Sequence, residues 1–274
     1  MAIVTLSREL GSKGSEIADS LASRLGFTRL DKDSLESLLQ ESGMSRAVFE
    51  REDEKSPGFW EQLTLEKNRY LDLMKAAMYR FAEEKDCVVI GRGGNVIFKD
   101  VPGALKLRVV APQRVRAQRL RERFTVDEHQ AARMIRQSDH DRAGYHRYFF
   151  NTSWDAAAEY DLVINTAEIT PAQACDLAAA LLESPARQEA AARAPSVIRD
   201  LRVGQDVIVA VLYRSRVPVL FLDASCTDGV VTVGGTARTQ SAADRAAQVA
   251  ACVEGVTKVI NAIEVVEFAY YAGF

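Results

Sequence analysis

The stretch IVTLSRELGSKGSEIADSLASRL, residues 3–25, decides the fold of the chain around it. It starts with the apolar run Ile3–Leu6, which has the composition of a buried strand. A turn with two glycines follows, and then a helical pattern in which Ile17, Leu21 and Leu25 are four residues apart. Strand, glycine turn and helix present backbone N–H groups and a helix dipole to an anion, so the stretch predicts a phosphate-binding loop.

The loop departs from the strict P-loop pattern, G-x-x-x-x-G-K-[ST]. Arg8 stands where the first glycine belongs, and Lys13 and Gly14 occupy the Gly-Lys pair in reverse order. Lys13 still supplies a mobile positive charge, and Ser15 supplies a hydroxyl suited to magnesium. On spacing alone, the alternative is an ordinary strand-to-helix turn capped by Ser12 or Ser15. The candidate phosphate-binding residues of the loop are Gly11, Ser12, Lys13, Gly14 and Ser15.

Composition limits the classes of function. The 274 residues, 47% hydrophobic and 27% charged, suffice for one large domain or for a medium and a small one. The net charge of −3 argues against a general nucleic-acid binder. Four dispersed cysteines without a CxxC pair indicate a reducing compartment. No secretory signal begins the sequence, and charges interrupt its most apolar stretch, so we expect a cytoplasmic protein without a transmembrane segment.

Further strand patterns alternate with helical ones, which predicts a parallel α/β sheet. The additional strands are expected at 27–30, 87–90, 105–110 and 160–164, and a long amphipathic helix at 63–81. Ligands of such sheets bind at the carboxyl ends of the strands. The glycine turn, Asp31, Gly91-Arg92 and Asn165-Thr166 all follow strands. Their convergence supports a phosphate site at one edge of the sheet.

The segment from Arg108 to Arg147 is poor in acidic residues. It holds ten arginines, all three histidines and five acidic residues. The balance favours a surface that faces an anion, and the alternative is a solvated helical face.

A second module follows an Ala- and Arg-rich stretch that lacks apolar periodicity and suggests a linker over 184–205. Helix, two strands, helix and strand are expected at 206–213, 217–224, 229–235, 241–253 and 256–266. The turn Thr227-Asp228-Gly229 joins the two consecutive strands. The predicted domains are therefore 1–183 and 206–274, the second a small α+β module of order αββαβ.

Five motifs within residues 1–183 resemble those of the cytidylate kinase-like family of P-loop kinases. In chain order they are the loop stretch Val4–Ala18, the turn Gly91–Asn95, Ala111-Pro112 at a strand end, the element Asp139–Arg142 and the strand Tyr160–Thr166. The resemblance implies a nucleoside-monophosphate-kinase fold with a parallel sheet ordered 2-3-1-4-5 and helices on both faces. It also implies a helical insertion that binds the monophosphate and a lid that carries arginines.

The resemblance assigns roles to residues of this chain, with ATP and Mg²⁺ as donor and cofactor. The loop N–H groups hold the β-phosphate, Lys13 and Arg8 screen the transferring charge, and Ser15 ligates magnesium. The other roles are acceptor binding by Asp31, Arg92 and Asn95, lid closure by Arg116, Arg119, Arg142 and Arg147, and a place beside the adenine for Asn165 and Thr166. Arg142 is also expected to take part in catalysis.

Two departures concern recognition of the base. Cytidylate kinases carry an arginine six residues after the position of Asp31, where this chain has Ser37. They also carry an aspartate after the position of Arg92, where this chain has Gly93. Phosphate binding is therefore expected to be preserved and selectivity for cytosine to be weak.

Residues 206–268 resemble a BON domain, most specifically in Gly229, Gly234 and the stretch Glu254–Asn261. The resemblance implies binding of a phospholipid or a protein partner. We expect a nucleoside monophosphate kinase-like enzyme that carries a binding module. The alternative is a degenerate kinase fold that senses a nucleotide or phosphate, with the BON-like domain as its output.

Overall fold

The computed structural model describes residues 1–41 and 64–266. The chain divides into two compact units. Met1–Lys67 and Glu84–Pro195 form the first, and Asn68–Glu83 and Ser196–Phe274 form the second. The first residue of the predicted long helix, Leu63, lies outside the described residues.

A five-stranded parallel sheet forms the centre of the first unit. Its strands are β1 (Ile3–Arg8), β2 (Thr28–Leu30), β3 (Cys87–Ile90), β4 (Leu105–Val110) and β5 (Leu162–Asn165). They lie in the order β2-β3-β1-β4-β5, and each neighbouring pair is parallel. The predicted α/β class and strand order are confirmed. β1 lies in the middle, buried from Ile3 to Ser7, which places its carboxyl end at the centre of the sheet edge.

Helices connect the strands. They are α1 (Gly14–Leu25), α2 (Lys32–Glu41), α3 (Thr64–Glu84), α4 (Gly94–Ile97), α5 (Gln113–Phe124), α6 (Glu128–Phe150), α7 (Pro171–Leu182) and α8 (Pro185–Ala191). The predicted stripe of α1 is buried: Ile17 and Leu21 pack with Val4 and Leu6 of β1 in the main core. This packing fixes the turn between β1 and α1. Within the described part of the chain, no helix has the length and apolarity needed to cross a membrane.

The second unit contains a three-stranded sheet. Helix α9 (Ala194–Val209) continues into a π-helical turn (Ala210–Arg214), followed by β6 (Val219–Thr227), β7 (Val230–Ala237), α10 (Gln240–Ala251) and β8 (Lys258–Val265). β7 lies between β6, its antiparallel partner, and β8, its parallel partner. Asp228 and Gly229 join β6 to β7 with φ of 49° and 79°, as the predicted turn requires. The predicted order αββαβ is confirmed.

Residues 68–83 of α3 belong to the second unit through polar contacts. The hydroxyl of Tyr213 donates a hydrogen bond to Asp72 at 2.6 Å, and the amide of Gln205 donates another at 3.1 Å. Arg80 donates to both carboxylate oxygens of Asp206 at 3.1 Å. Burial raises the pKa of the Asp72 carboxyl, although the hydrogen bonds from Tyr213 and Gln205 oppose the shift.

The linker predicted over 184–205 is helical in the structure. Alanine-rich sequences form helix readily, and Pro185 is suited to the first turn of α8. Arg187 of α8 donates to the carbonyl of Ala104 at 2.6 Å, so α8 packs within the first unit. Ile198 and Val203 of α9 are fully buried. We keep 1–183 and 206–274 as proposed domain boundaries, with 68–83 and 196–205 in the second compact unit.

Candidate active site

The turn between β1 and α1 offers four backbone N–H groups that have no acceptor among the described residues. They belong to Gly11, Lys13, Gly14 and Ser15, at the positive end of the α1 dipole. Gly11 and Lys13 have positive φ, 79° and 62°, so the chain turns sharply before the helix begins. Ser12 differs, because its N–H and its hydroxyl both donate to the carbonyl of Glu9, at 3.2 and 2.8 Å. Four of the five predicted loop residues therefore keep a backbone donor for an anion.

The loop forms one wall of a cleft of about 420 Å³, a size suited to a small ligand. The predicted residues Arg8, Gly11, Lys13, Gly14, Ser15, Arg119 and Arg142 line it. The cleft is also lined by Glu9, Leu10, Glu16, Leu120, Glu122 and Arg123, which the sequence analysis did not select. Its five cationic side chains and three carboxylates give a net charge of +2, which favours an anionic ligand.

Arg8 packs closely against two glycines, against Gly14 with its Cβ and against Gly91 with the end of its guanidinium. A Cβ on Gly14 would lie 2.3 Å from the Cβ of Arg8, and a Cβ on Gly91 would lie 2.2 Å from its Nη1. Gly91 directly follows β3, the neighbour of β1 in the sheet. The guanidinium of Arg8 therefore extends from the loop toward the carboxyl end of the adjacent strand.

Glu9 connects the loop to β4, α5 and α6. Its Oε2 accepts a hydrogen bond from the N–H of Ala111 at 3.1 Å and lies 3.5 Å from Nε of Arg116. Its Oε1 lies 3.6 Å from Nη2 of Arg108. Arg116 also donates two hydrogen bonds to Asp139 of α6, at 2.9 and 2.8 Å. The structure thus places Arg116, expected in a lid, inside a buried ionic network that supports the loop.

Arg119 ties the loop to the end of β5. It donates hydrogen bonds to the carbonyl of Gly11 at 3.1 Å, and to the hydroxyl and the carbonyl of Thr166 at 3.0 and 2.5 Å. The hydroxyl of Thr166 in turn donates to the carbonyl of Ser12 at 2.8 Å. Thr166 is buried and does not line the cleft, and it stabilises the loop through its hydrogen bond to Ser12. Arg119 lines the cleft, but its guanidinium is bonded to the loop and to β5.

Asp31, expected to bind the acceptor, caps α2 in the structure. Its carboxylate accepts hydrogen bonds from the N–H and the hydroxyl of Ser34 at 3.1 and 2.8 Å. Burial raises the pKa of this carboxyl, but the Ser34 hydrogen bonds and the charge of Arg29 outweigh it, and the net pKa is lowered. Asp31 is not part of the cleft lining.

Arg92 and Asn95 are buried and also lie outside the cleft lining. Nη2 of Arg92 is 3.8 Å from Glu36, and its guanidinium lies 5.8 Å from the ring centroid of Tyr145. Asn95 belongs to the short helix α4. The structure brings neither residue to the loop, and their acceptor-binding role stays a prediction.

Gly93 has no room for a side chain. Its φ is 69°, and a Cβ would lie 2.1 Å from Cε2 of the Phe150 ring. Phe150 ends α6 and contacts the rings of Tyr145, His146 and Phe149. The aspartate that cytidylate kinases carry at this position would require the Phe150 ring to move. The predicted weak selectivity for cytosine stays a prediction.

The two predicted arginines of α6 have different surroundings. Arg142 lines the cleft, and its guanidinium lies 5.9 Å from the ring centroid of Trp154. Arg147 is exposed in the last turn of α6 and is not part of the lining. Asn165 is exposed at the end of β5, where its side-chain oxygen accepts a hydrogen bond from the N–H of Ala167 at 3.0 Å.

Arg108 supports the site but was not selected from the sequence. It is 4% exposed on β4, its Nη1 donates to the carbonyl of Trp154 at 2.6 Å, and its guanidinium lies 4.2 Å from that ring. The indole of Trp154 donates to the hydroxyl of Ser7 at 2.8 Å. A buried charge requires partners, so an arginine within the apolar run of β4 was the sequence signal that could have identified Arg108 as a supporting residue.

The chain is similar to several solved structures over about two thirds of its length. A crystal structure of an uncharacterized protein from Eubacterium ventriosum ATCC 27560 is 24% identical, with a TM-score of 0.54 over 66% of this chain and 98% of that chain. Shikimate kinase from Bacteroides thetaiotaomicron is 16% identical, with a TM-score of 0.41 over 67% and 99% of the two chains. A gluconokinase from Sinorhizobium meliloti 1021 is 13% identical, with a TM-score of 0.39 over 69% and 95%. No curated protein matches the chain.

Two family models match the sequence in the predicted order. The model of the BON domain matches residues 188–267 and therefore includes α9, which the sequence analysis placed in a linker. The model of the cytidylate kinase-like family matches residues 3–168, more than half of the chain. With its glycine turn after a central strand and its sheet order, the chain belongs to the cytidylate kinase-like family.

Proposed function

We propose that this protein transfers the γ-phosphoryl group of ATP to a small phosphorylated acceptor, most simply a nucleoside monophosphate. The observation that carries the proposal is the set of four loop N–H groups without acceptors among the described residues. They lie at the positive end of α1, in a cleft that Arg8 and Lys13 also line. Backbone donors and a helix dipole are a recurrent means of binding phosphate.

In this reaction an ionised phosphate oxygen of the acceptor bonds to the γ-phosphorus while the bond to the β–γ bridging oxygen breaks. ADP leaves with the electron pair of that bond, and no proton transfer is required. The protein therefore has to align the two reactants, neutralise charge and exclude water. The loop N–H groups bind the β-phosphate, and Arg8, Lys13 and Arg142 neutralise charge in the cleft.

The residues at the loop suit a magnesium ion bound together with ATP. Ser15 is exposed in the first turn of α1, and its hydroxyl makes no hydrogen bond within the described residues. Glu122 lines the same cleft and supplies a carboxylate. Mg²⁺ prefers oxygen ligands and is bound through few protein groups plus phosphates and water. When bound, the ion neutralises phosphate charge.

The remaining roles are proposed from the family resemblance. Asp31, Arg92 and Asn95 bind the acceptor, and Arg147 approaches it from α6. Asn165 and Thr166 lie near the adenine. Because Gly93 carries no base-reading group, acceptors are distinguished weakly by their base. The BON domain binds a phospholipid or a protein partner in the cytoplasm.

One observation favours a second candidate, a phosphate or nucleotide sensor. Arg116 and Arg119, expected to close over the phosphates, are bonded to Asp139, Gly11 and Thr166. Arginines that are held by protein groups do not have to move over the phosphates, and a site of this kind can bind an anion without catalysing a reaction. Catalytic turnover distinguishes the enzyme from the sensor.

The test is ATP consumption with CMP, UMP, AMP or GMP as acceptor, together with calorimetric binding of MgATP. Lys13→Ala is expected to weaken binding or turnover by about 1.5–3 kcal/mol, the contribution of a charge-assisted contact. Lys258→Ala, on the exposed part of β8, is the matched control and should leave both unchanged. Binding without turnover would identify the sensor, and absence of MgATP binding would exclude the enzyme and a sensor of ATP.

A further inference from the structure

The requirement for glycine at position 14 comes from the close approach of the Arg8 side chain, since the backbone conformation of Gly14 is open to any residue. Gly14 is the first residue of α1, and its φ is not in the left-handed region. A Cβ at this position would lie 2.3 Å from the Cβ and 2.9 Å from the Cγ of Arg8. Non-bonded carbon atoms do not approach this closely, since their optimal separation is about 3.5–4.0 Å. A side chain at position 8 therefore excludes one at position 14.

The strict P-loop pattern shows the reverse arrangement, with glycine at the position of Arg8 and lysine at the position of Gly14. The arginine at position 8 and the glycine at position 14 are thus two parts of one reciprocal exchange, in which only one of these two positions carries a side chain. The lysine has moved to position 13, where the strict pattern has glycine and where φ is 62°. A non-glycine residue in this conformation carries backbone strain.

The guanidinium of Arg8 lies between the loop and the end of β3. It reaches from the end of β1 to Gly91 at the end of β3, and Arg8 lines the loop cleft. The loop binds the donor phosphates, and the residues that follow β3 belong to the proposed acceptor side. A phosphoryl group in transfer passes between these two sides. A guanidinium offers a planar fork of donors that matches phosphate oxygens.

We propose that Arg8 takes the role of the loop lysine and contacts the phosphoryl group as it passes from donor to acceptor. The Lys13-Gly14 order of the loop is the steric consequence of a side chain at position 8. Lys13 lines the same cleft and remains a cation for the donor phosphates. This assignment rests on the phosphoryl transfer proposed above.

The steric half is tested by thermal unfolding of the wild type, Gly14→Ala, Arg8→Gly and the double variant. Gly14→Ala alone should lower the midpoint by roughly 2–10 °C, because the added methyl overpacks against Arg8. With Arg8→Gly present, the same alanine should leave the midpoint unchanged or raise it, because alanine favours helix over glycine. An equal loss in both backgrounds would overturn the reciprocal exchange.

The chemical half is tested by MgATP binding and turnover. Arg8→Gly should lower kcat roughly 10- to 150-fold, which corresponds to a charge-assisted contact, while the Kd for MgATP changes less than about threefold. The strict pattern, restored by Arg8→Gly, Lys13→Gly and Gly14→Lys, should recover most of the loss. Arg8→Lys, which keeps the charge without the fork, should lie between wild type and Arg8→Gly even if the glycine variant folds poorly.

The outcomes separate this assignment from the proposed function. If the wild type turns over ATP and Arg8→Gly stays within threefold of it, Arg8 does not contact the transferred group. A restored strict loop no better than Arg8→Gly would also overturn the assignment. If the wild type does not bind MgATP, the proposed function and the role of Arg8 in it fail together. The thermal comparison still decides the steric exchange in that case.

Discussion

Gly93→Asp, which restores the residue of cytidylate kinases, should destabilise the first unit instead of creating cytosine recognition. A side chain at φ 69° costs about 1–2 kcal/mol of backbone strain. Its Cβ would lie 2.1 Å from the Phe150 ring, and overpacking of this kind costs about 1–3 kcal/mol. The free energy of unfolding of the first unit should therefore fall by about 2–5 kcal/mol.

Urea unfolding followed by tryptophan fluorescence measures this change. The chain has two tryptophans, and in a Trp60→Phe background the signal comes from Trp154, which belongs to the unit that contains Gly93. The matched control is Gly93→Asp introduced into Phe150→Ala in the same background, with the loss measured relative to Phe150→Ala alone. There the ring is absent, and only the backbone part of the loss, about 1–2 kcal/mol, should remain.

Two results would refute the reasoning. If Gly93→Asp loses the same free energy with and without the Phe150 ring, the ring is not the obstacle. If Gly93→Asp unfolds like the wild type and prefers CMP, the site has room for a base-reading carboxylate. For the wild type we expect kcat/KM values for CMP, UMP, AMP and GMP to lie within about a hundredfold of one another. A site without a polar side chain for the base leaves few polar groups unpaired when the base is changed.

Three further predictions concern the supports of the two units. Arg119→Ala should lower the free energy of unfolding in urea by about 2–3 kcal/mol, because the carbonyls of Gly11 and Thr166 lose a charged donor. Arg121→Ala, an exposed position on the same helix, should change this free energy little, and an equal loss in the two variants would contradict the role of Arg119. Because the pKa of Asp72 is raised in the folded protein, its carboxyl ionises at a lower pH in the unfolded chain than in the folded one. Wild-type stability should therefore fall as pH rises from the ordinary aspartate pKa to the raised one. Asp72→Asn should lack this dependence, and parallel curves of the free energy of unfolding against pH for the two proteins would refute the prediction. A protein ending at Glu183 lacks the partners of Asp72 and should be cleaved by protease within residues 68–83, whereas protection of this segment would show that it packs without the second unit.

The sequence was sufficient to predict the parts of the fold that depend on local pattern. The apolar run of β1, the glycine turn and the spacing of Ile17 and Leu21 are local signals, and the structure places all three as expected. The order of the strands came from the family resemblance, because pairing between distant strands leaves no periodic trace in sequence.

Contacts between distant residues account for what the sequence analysis did not anticipate. Arg116 and Arg119 were predicted as lid residues, but Asp139 and Thr166, which bind them, lie 23 and 47 positions away. The steric exclusion at Gly93 depends on the ring at position 150, which no local pattern predicts. The helical linker was missed because an alanine-rich segment without apolar periodicity gives little information on packing.

The assignment of residues 68–83 to the second unit has a consequence for biosynthesis. During translation this part of α3 leaves the ribosome before the whole of Glu84–Pro195, and its partners Gln205, Asp206 and Tyr213 emerge only afterwards. The sequence of the first unit is therefore complete in the nascent chain while the second unit still lacks most of its residues. Because domains fold as units and long-range contacts form slowly, residues 68–83 can form their contacts with Gln205, Asp206 and Tyr213 only after the synthesis of the second unit has advanced, well after the first unit has begun to fold.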